Sequence, residues 1–412
     1  MRAYIESYGC ALNRGEAMEF ESALRATGWE IVDSPKGSDL NMIATCAVIE
    51  TTELEMVKRA RYLSGLGKPL VVAGCMASAM RDRIEEVAPN ARFVSPDDAA
   101  GLCRAAGISD SDRWAPEPWP GTFCHTIPIA SGCLGNCAYC ITKIARGDLR
   151  SRPIERIVDE IRRIDWRPGF KEVQLTAQDT ASYGRDIGAS LPELIGRLTS
   201  LDLNMKVRVG MMNPRTMLPL LDDLVRSFSS PRIFKFLHLP VQSASDRMLG
   251  EMGRGYCIRD FMSIVGRFRE SFPDMTLSTD LIVGYPGETK EDHSENMELV
   301  KKVLPDIVNI TRFSPRPGTK AESMGGKVVG RIAKDRSREL TDLRFSISLS
   351  KNKAKVGRIV DVVVTERGKK GTMIGRTDNY EQIILPSGLS LGSSAKARIV
   401  GCSPIHLIGE CL

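Results

Sequence analysis

Ser131-Gly132-Cys133-Leu134-Gly135-Asn136-Cys137-Ala138-Tyr139-Cys140 sets Cys133, Cys137 and Cys140 in a C-x3-C-x2-C run. Three thiolates so close together can ligate one metal centre, and thiolate-rich ligation selects iron–sulfur clusters or zinc. A four-iron cluster on three thiolates keeps one iron free of protein, able to bind a small molecule. The competing reading is a zinc knuckle. Zinc takes a fourth Cys or His, typically from C-x2-C or C-x4-C pairs. His125, upstream of Cys133, falls in an expected strand, so the open cluster is the stronger reading.

The chain has 412 residues, enough for two or three domains. It is 42% hydrophobic and 26% charged, with a net charge of +6. These values describe a soluble globular protein and mildly favour a nucleic-acid partner. No apolar run is long enough to span a membrane, and the N-terminus lacks the apolar core of a signal peptide. Eleven cysteines in a chain this long do not make a secreted disulfide scaffold. They fit metal binding in the reducing cytoplasm.

Upstream, residues 1–115 read as a small parallel-sheet α/β domain. Strands are expected over Arg2–Ser7, Asp39–Thr45 and Pro69–Ala73, and helices over Gly15–Thr27 and Glu50–Ser64. Cys10, Cys46 and Cys75 each follow one of these strands, at spacings of 36 and 29 residues, about one strand–helix–strand unit each. Parallel strands end at one edge of their sheet, where ligands bind in such folds. The three cysteines are therefore expected to meet there and hold a second cluster, again with one open iron. Asn13 reads as the cap of the following helix, with a place bordering the cluster as the alternative. Cys103 reads as a core thiol. Residues 95–120, with Pro116-Glu117-Pro118-Trp119-Pro120, read as turns and a linker, and the boundary is expected near 110–122.

The C-x3-C-x2-C run, with the aromatic Tyr139 before its last cysteine, resembles the hallmark of the radical S-adenosylmethionine (SAM) enzymes. Residues 121–345 carry six strand candidates, His125–Ala130, Glu172–Thr176, Lys206–Gly210, Ile233–Leu239, Thr276–Val283 and Ile307–Phe313. Helices are expected between them, including one over Met217–Ser227. The resemblance implies an open (β/α)6 partial barrel with substrates entering at the C-terminal rim of its strands. SAM offers an ammonium, a carboxylate, a ribose and an adenine. Gln178, Asp179, Arg208, Gln242 and Gly284 are the candidates to bind it, although Asp179 also suits a turn cap. His238 is the one histidine expected on the rim; His125, His293 and His406 read as structural.

Residues 346–412 read as five short strands with glycine turns, a small antiparallel β-barrel like nucleic-acid-binding folds. Lys353, Lys355 and Arg358 crowd its entry, and Arg367, Lys369 and Lys370 form a basic hairpin turn. These six are the candidates for RNA phosphate contact, which supplies affinity rather than specificity. Arg331, Lys334, Arg336 and Arg338 are expected to extend the same surface.

Taken in order, the two cysteine triads, Arg146-Gly147, Gln178-Asp179-Thr180, Gly284-Tyr285-Pro286-Gly287-Glu288-Thr289 and the basic tail resemble the methylthiotransferase family over the whole chain. The resemblance implies an N-terminal cluster domain, a radical SAM domain and a C-terminal TRAM domain. It implies two 4Fe-4S clusters with three cysteine ligands each, and SAM as methyl donor and radical source. The closest likeness is to the archaeal and eukaryotic subgroup that acts on N6-threonylcarbamoyladenosine at position 37 of tRNA. Expected partners are the tRNA anticodon stem-loop, an external electron donor and a sulfur source, with no membrane and a monomeric chain. The alternatives are N6-isopentenyladenosine, an aspartate of a small-subunit ribosomal protein, or a non-catalytic iron–sulfur tRNA-binding protein.

Overall fold

The structure, a computed structural model, describes residues 1–96, 98–107, 123–164 and 171–412. The expected linker over 95–120 is corrected in its first part, where Ala99–Ala105 form a helix with Asp98 as its N-cap; the rest of it from residue 108, and the expected boundary, lie outside the described residues.

The first domain begins with strand β1 (Arg2–Ser7) and helix α1 (Ala11–Ala26), followed by the short β2 (Glu30–Ile31) and β3 (Leu40–Thr45). Helix α2 (Glu50–Ser64), β4 (Leu70–Gly74), α3 (Cys75–Ala79), α4 (Arg81–Glu85), β5 (Arg92–Val94) and α5 (Ala99–Ala105) complete it. Its sheet runs β2-β1-β3-β4-β5, all parallel. The fully buried β3 and β4, apolar except for Asn41 and Thr45, lie in its interior, as expected of strands covered by helices on both faces. Cys103 is buried in α5, in the core against α1.

The expected cap at Asn13 is not found. Helix α1 starts earlier than the expected Gly15, with Cys10 at its N-cap and Asn13 inside it. The Asn13 amide instead donates to the carbonyls of Tyr8 (3.0 Å) and Thr45 (2.7 Å). It ties together the strand ends that lead into Cys10 and Cys46.

The central domain opens with β6 (Cys124–Pro128), β7 (Ala130–Ser131), α6 (Ile141–Arg146), β8 (Arg150–Ser151), α7 (Ile154–Arg163) and β9 (Lys171–Thr176). Then come α8 (Leu191–Thr199), β10 (Met205–Val209), α9 (Pro214–Met217), α10 (Leu221–Phe228), β11 (Phe236–His238) and α11 (Asp246–Glu251). It closes with α12 (Ile258–Ser271), β12 (Thr276–Val283), α13 (Lys290–Val303), β13 (Ile307–Arg312) and α14 (Gly330–Lys353). Strands β6-β9-β10 and β11-β12-β13 form two parallel sheets, and a bridge between Val207 and Ile233 joins them. The result is the six-stranded open barrel in chain order. Two expectations need correction. The helix expected over 217–227 is broken at Leu218-Pro219-Leu220, because Pro219 has no N–H to donate. The strand expected over 233–239 is regular only at Phe236–His238.

Residues such as Val173, Leu175, Val207 and Val209 point outward into the main core. Their neighbours point inward and are polar: Gln174 meets Arg208, and His238 meets Asp280. That alternation follows from the pleat.

The last domain consists of β14 (Ile359–Arg367), β15 (Met373–Arg376), β16 (Gln382–Leu385), β17 (Ser394–Cys402) and β18 (Leu407–Cys411), closed in the order β14-β15-β16-β18-β17. Its pairings are antiparallel except β16 with β18. Helix α14, about 36 Å long at 1.5 Å per residue, leads into it. The domain seals the N-terminal mouth of the central barrel with Tyr380. This side chain packs on Phe234 and Phe236 at 4.9 and 5.2 Å between ring centroids. Its hydroxyl donates to Glu172 and accepts from Gln174 at 2.9 Å. The guanidiniums of Arg208 and Arg376 lie over its ring. Tyr380 holds this place with a left-handed backbone (φ 65°), a strained setting for a non-glycine residue. Tyr380→Ala is expected to cost about 3 kcal/mol by emptying the mouth, and Tyr380→Phe about 1 kcal/mol through its hydrogen bonds. Both would be read as earlier urea unfolding; equal losses in the two variants would refute the plug.

Candidate active site

The cysteine loop leaves β6 and is held by backbone geometry. Gly132 has φ +75°, and a Cβ there would lie 1.9 Å from the Asp148 carbonyl oxygen. Only glycine lets the loop pass the Gly147-Asp148 turn. The Cys133 N–H donates to the Gly147 carbonyl (3.2 Å), and Lys143 donates to the Cys133 carbonyl (2.6 Å). The Ala138 N–H reaches the Met252 carbonyl, and Cys140 caps α6. Tyr139 packs edge-on against Tyr285. Burial pushes the Cys133 thiol up to about 11 and raises Cys140 as well, before the neighbouring thiols add to it.

The second triad stands where the topology demands. Ser7 pairs with Ala44, and Thr45 with Gly74, so the three strands end level. The backbones approach closely: a Cβ on Gly9 would lie 2.5 Å from Cys46 Cβ, and one on Gly74 2.4 Å from the Thr45 carbonyl oxygen. Burial drives Cys46 up to about 11 and raises Cys75, and Cys10 acts on both by charge. Cys46 and Cys75 share one apolar cluster with Ile141 and Ala145 of α6. The helix that leaves the first triad therefore packs on the second.

Arg146, at the end of α6, joins the two halves. Its side chain is fully buried. It pairs with Glu16, donates to Asn13 Oδ1 at 2.8 Å and reaches Ser131 Oγ at 3.3 Å. Its Nε–H is buried without a partner. Burial works against its charge, while Glu16 and the Cys75 and Cys10 thiols hold it protonated. Among the described residues no three His, Cys, Asp or Glu side chains close on a point that a single metal ion could occupy. A multi-iron cluster makes a different demand, one thiolate per iron.

The five SAM candidates separate. Gln178 stands on the rim with its Oε1 buried and unpartnered. Gln242, also on the rim, is held at φ 70° by its N–H bond to the Asp280 carbonyl. Asp179 caps the turn Thr180–Ser182, accepting from the Ala181 and Asn213 N–H groups and from Thr216 Oγ1 at 2.6 Å. Gly284 lets α14 approach, since a Cβ there would lie 2.6 Å from Ala333 Cβ. Arg208 lies between Phe236 and Tyr380, at the mouth that the last domain covers. His238 is occupied by Asp280 at 3.1 Å.

Sequence reasoning missed Arg254. It is buried, and its Nη1 lies 3.2 Å from Cys137 Sγ and 3.4 Å from the Tyr139 hydroxyl. The available signal was its place between Gly253 and Gly255, both at φ +67°.

On the last domain, Arg367, Lys369 and Lys370 are exposed at the β14–β15 turn, and Lys353 and Arg358 are exposed at its entry. Lys355 is tied to Glu381. Arg336 does not extend this surface: it is half-buried and paired with the buried Glu288 at 2.5 Å. Among the described residues no helix is long and apolar enough to cross a membrane.

An open six-stranded barrel with a three-cysteine loop after its first strand defines a radical SAM enzyme. Residues 127–300 match the radical SAM superfamily, residues 2–95 the uncharacterized protein family UPF0004, and residues 353–412 the TRAM domain. The radical S-adenosylmethionine methyltransferase TsrM from Kitasatospora setae shares the fold, with a TM-score of 0.55, 14% identity and coverage of 78% of this chain and 77% of that one. The chain is 38% identical to the probable threonylcarbamoyladenosine tRNA methylthiotransferase of Pyrococcus horikoshii, covering 100% of both chains. It is equally similar, at 38%, to that of Archaeoglobus fulgidus, covering 100% of this chain and 98% of that protein. Identity to the threonylcarbamoyladenosine tRNA methylthiotransferase of Drosophila melanogaster is 35%, over 100% of this chain and 78% of the fly protein. The chain belongs to the threonylcarbamoyladenosine tRNA methylthiotransferase family.

Proposed function

We propose that this protein places a methylthio group on carbon 2 of N6-threonylcarbamoyladenosine at position 37 of tRNA. The observation that supports the reading is the packing of α6, the helix that leaves the first cysteine triad, on Cys46 and Cys75 of the second, with Arg146 bonded to Asn13 and Glu16 of the first domain. In this reading Cys133, Cys137 and Cys140 hold one 4Fe-4S cluster, and Cys10, Cys46 and Cys75 hold another. The residues fit such groups: the donors are soft thiolates, and the unpartnered Nε–H of Arg146 suits an anionic neighbour. When bound, these groups supply the electron that splits SAM into a 5′-deoxyadenosyl radical and the sulfur that SAM methylates. The protein positions and shields. Arg254 steadies Cys137, Tyr139 and Tyr285 wall the loop, and Gln178 and Gln242 face the space where SAM would lie.

Lys353, Arg358, Arg367, Lys369 and Lys370 would meet the phosphates of the anticodon stem-loop, with Lys355 contributing less because Glu381 neutralises it. An external electron donor and a sulfur source complete the reaction, which we place in the cytoplasm with a monomeric protein. Deleting the gene should remove 2-methylthio-N6-threonylcarbamoyladenosine from cellular tRNA and leave its unthiolated precursor, as read by mass spectrometry of nucleosides. An unchanged nucleoside profile would reject the reading.

A further inference from the structure

We propose that the cavity beside Cys137 receives the carboxylate of the threonyl group on the target nucleoside, and that Arg185 and Arg215 at its mouth grip it. This deepens the function proposed above and rests on it.

The cavity spans about 380 Å³ with the open solvent at its mouth included, and is lined by Cys137, Asp179, Arg185, Arg215, Thr216 and Arg254, among others. Three guanidiniums thus face one carboxylate, and that carboxylate is already satisfied. Asp179 spends its oxygens on two backbone N–H groups and the Thr216 hydroxyl, and burial raises its pKa. Neither Arg185 nor Arg215 forms an ion pair among the described residues. Arg185 donates once, to the Thr216 carbonyl at 3.0 Å. Arg215 lies beneath Gly255, where a Cβ would come 3.1 Å from its Cδ. The lining of the cavity therefore carries surplus positive charge.

The arginines differ in depth. Arg254 is buried on the inner wall against Cys137. Arg185 and Arg215 are exposed at the mouth, where a nucleoside on a large RNA enters. Backbone fixes them there: Asn213 and Pro214 start the turn that carries Arg215, and Gly184 (φ +84°) turns the chain into Arg185. A guanidinium matches a carboxylate with two parallel hydrogen bonds. An isopentenyl group has nothing to offer these donors and would cover them at a desolvation cost. Sites built to bond a polar group discriminate strongly against analogues lacking it.

SAM also carries an amino-acid carboxylate, and RNA carries phosphates, so the test must separate three anions. The full-length protein, with both centres reconstituted anaerobically, would be titrated with anticodon stem-loop RNA bearing N6-threonylcarbamoyladenosine, N6-isopentenyladenosine or plain adenosine at position 37, and separately with SAM. The unaltered protein should prefer the threonylcarbamoyl RNA by tenfold or more. Arg215→Gln should lose about tenfold in affinity for that RNA, bringing the three RNAs close together, with SAM affinity and iron content retained. Arg215→Lys should recover part of the preference. A parallel loss for all three RNAs would assign Arg215 to phosphate, and a loss of SAM affinity would assign it to SAM; either overturns the proposal, as does an intact preference. If the unaltered protein makes no 2-methylthio product from the threonylcarbamoyl RNA, the functional reading fails first. If it does, and Arg215→Gln keeps its preference, only this inference fails.

Discussion

Cys46→Ala is expected to abolish methylthio transfer while SAM is still cleaved to 5′-deoxyadenosine. Cys46 directly follows the middle strand β3, between the strand ends that lead into Cys10 and Cys75. It is buried, and the Gly9 backbone presses against it. Alanine is small enough to leave β3 and its pairings in place, so the first triad keeps its loop, its Gly147 bond and its Arg254 contact. The proposed reading then makes two separable demands. Iron and sulfide per chain should fall by about half, since one of two four-iron clusters is lost. Production of 5′-deoxyadenosine should persist, while 2-methylthio nucleoside falls below detection by mass spectrometry. Product formation on a single remaining cluster would sink the sulfur-supplying role of this triad. Loss of SAM cleavage together with product would instead make it an electron relay.

Much of this arrangement is legible because local rules generate it. A cysteine after each parallel strand predicts one sheet edge, and the register of Ser7, Thr45 and Gly74 delivers it. The six strand–helix repeats read correctly because their outward faces are apolar runs such as Val173 and Leu175. What escapes is whatever depends on a partner distant in the chain. Asn13 looks like a cap by type and place, but the Thr45 carbonyl, 32 residues on, takes its amide. Arg208 was placed on the correct strand, yet its direction is set by Tyr380 of another domain. Lys355 and Arg336 read as surface charge, but Glu381 and Glu288 occupy them. The broken helix at Pro219 is different: the proline itself announced it.

Arg146→Gln is expected to separate the two halves of the site. The guanidinium bonds Glu16 and Asn13 of the first domain and Ser131 of the second, beside the cross-domain pairs Arg152–Glu19 and Arg316–Glu53. Glu16 is nearly buried, with 13% of its side chain exposed. Removing the cation leaves that carboxylate uncompensated, and breaking a buried pair from one side costs about 3–5 kcal/mol. Glutamine keeps a donor for Asn13 but not the charge. The N-terminal domain should therefore unfold at lower urea and be cut sooner by protease. Glu16→Gln/Arg146→Gln should recover part of the loss, because the orphaned charge is gone; a double-mutant cycle isolates that coupling. The thiol side gives an independent readout. With a positive charge removed beside Cys75 and Cys10, a cluster on that triad should become harder to reduce, shifting its potential negative while the Cys133 cluster holds. Additive unfolding losses in the cycle, with both potentials unmoved, would leave Arg146 as ordinary packing and remove the link we draw between the triads.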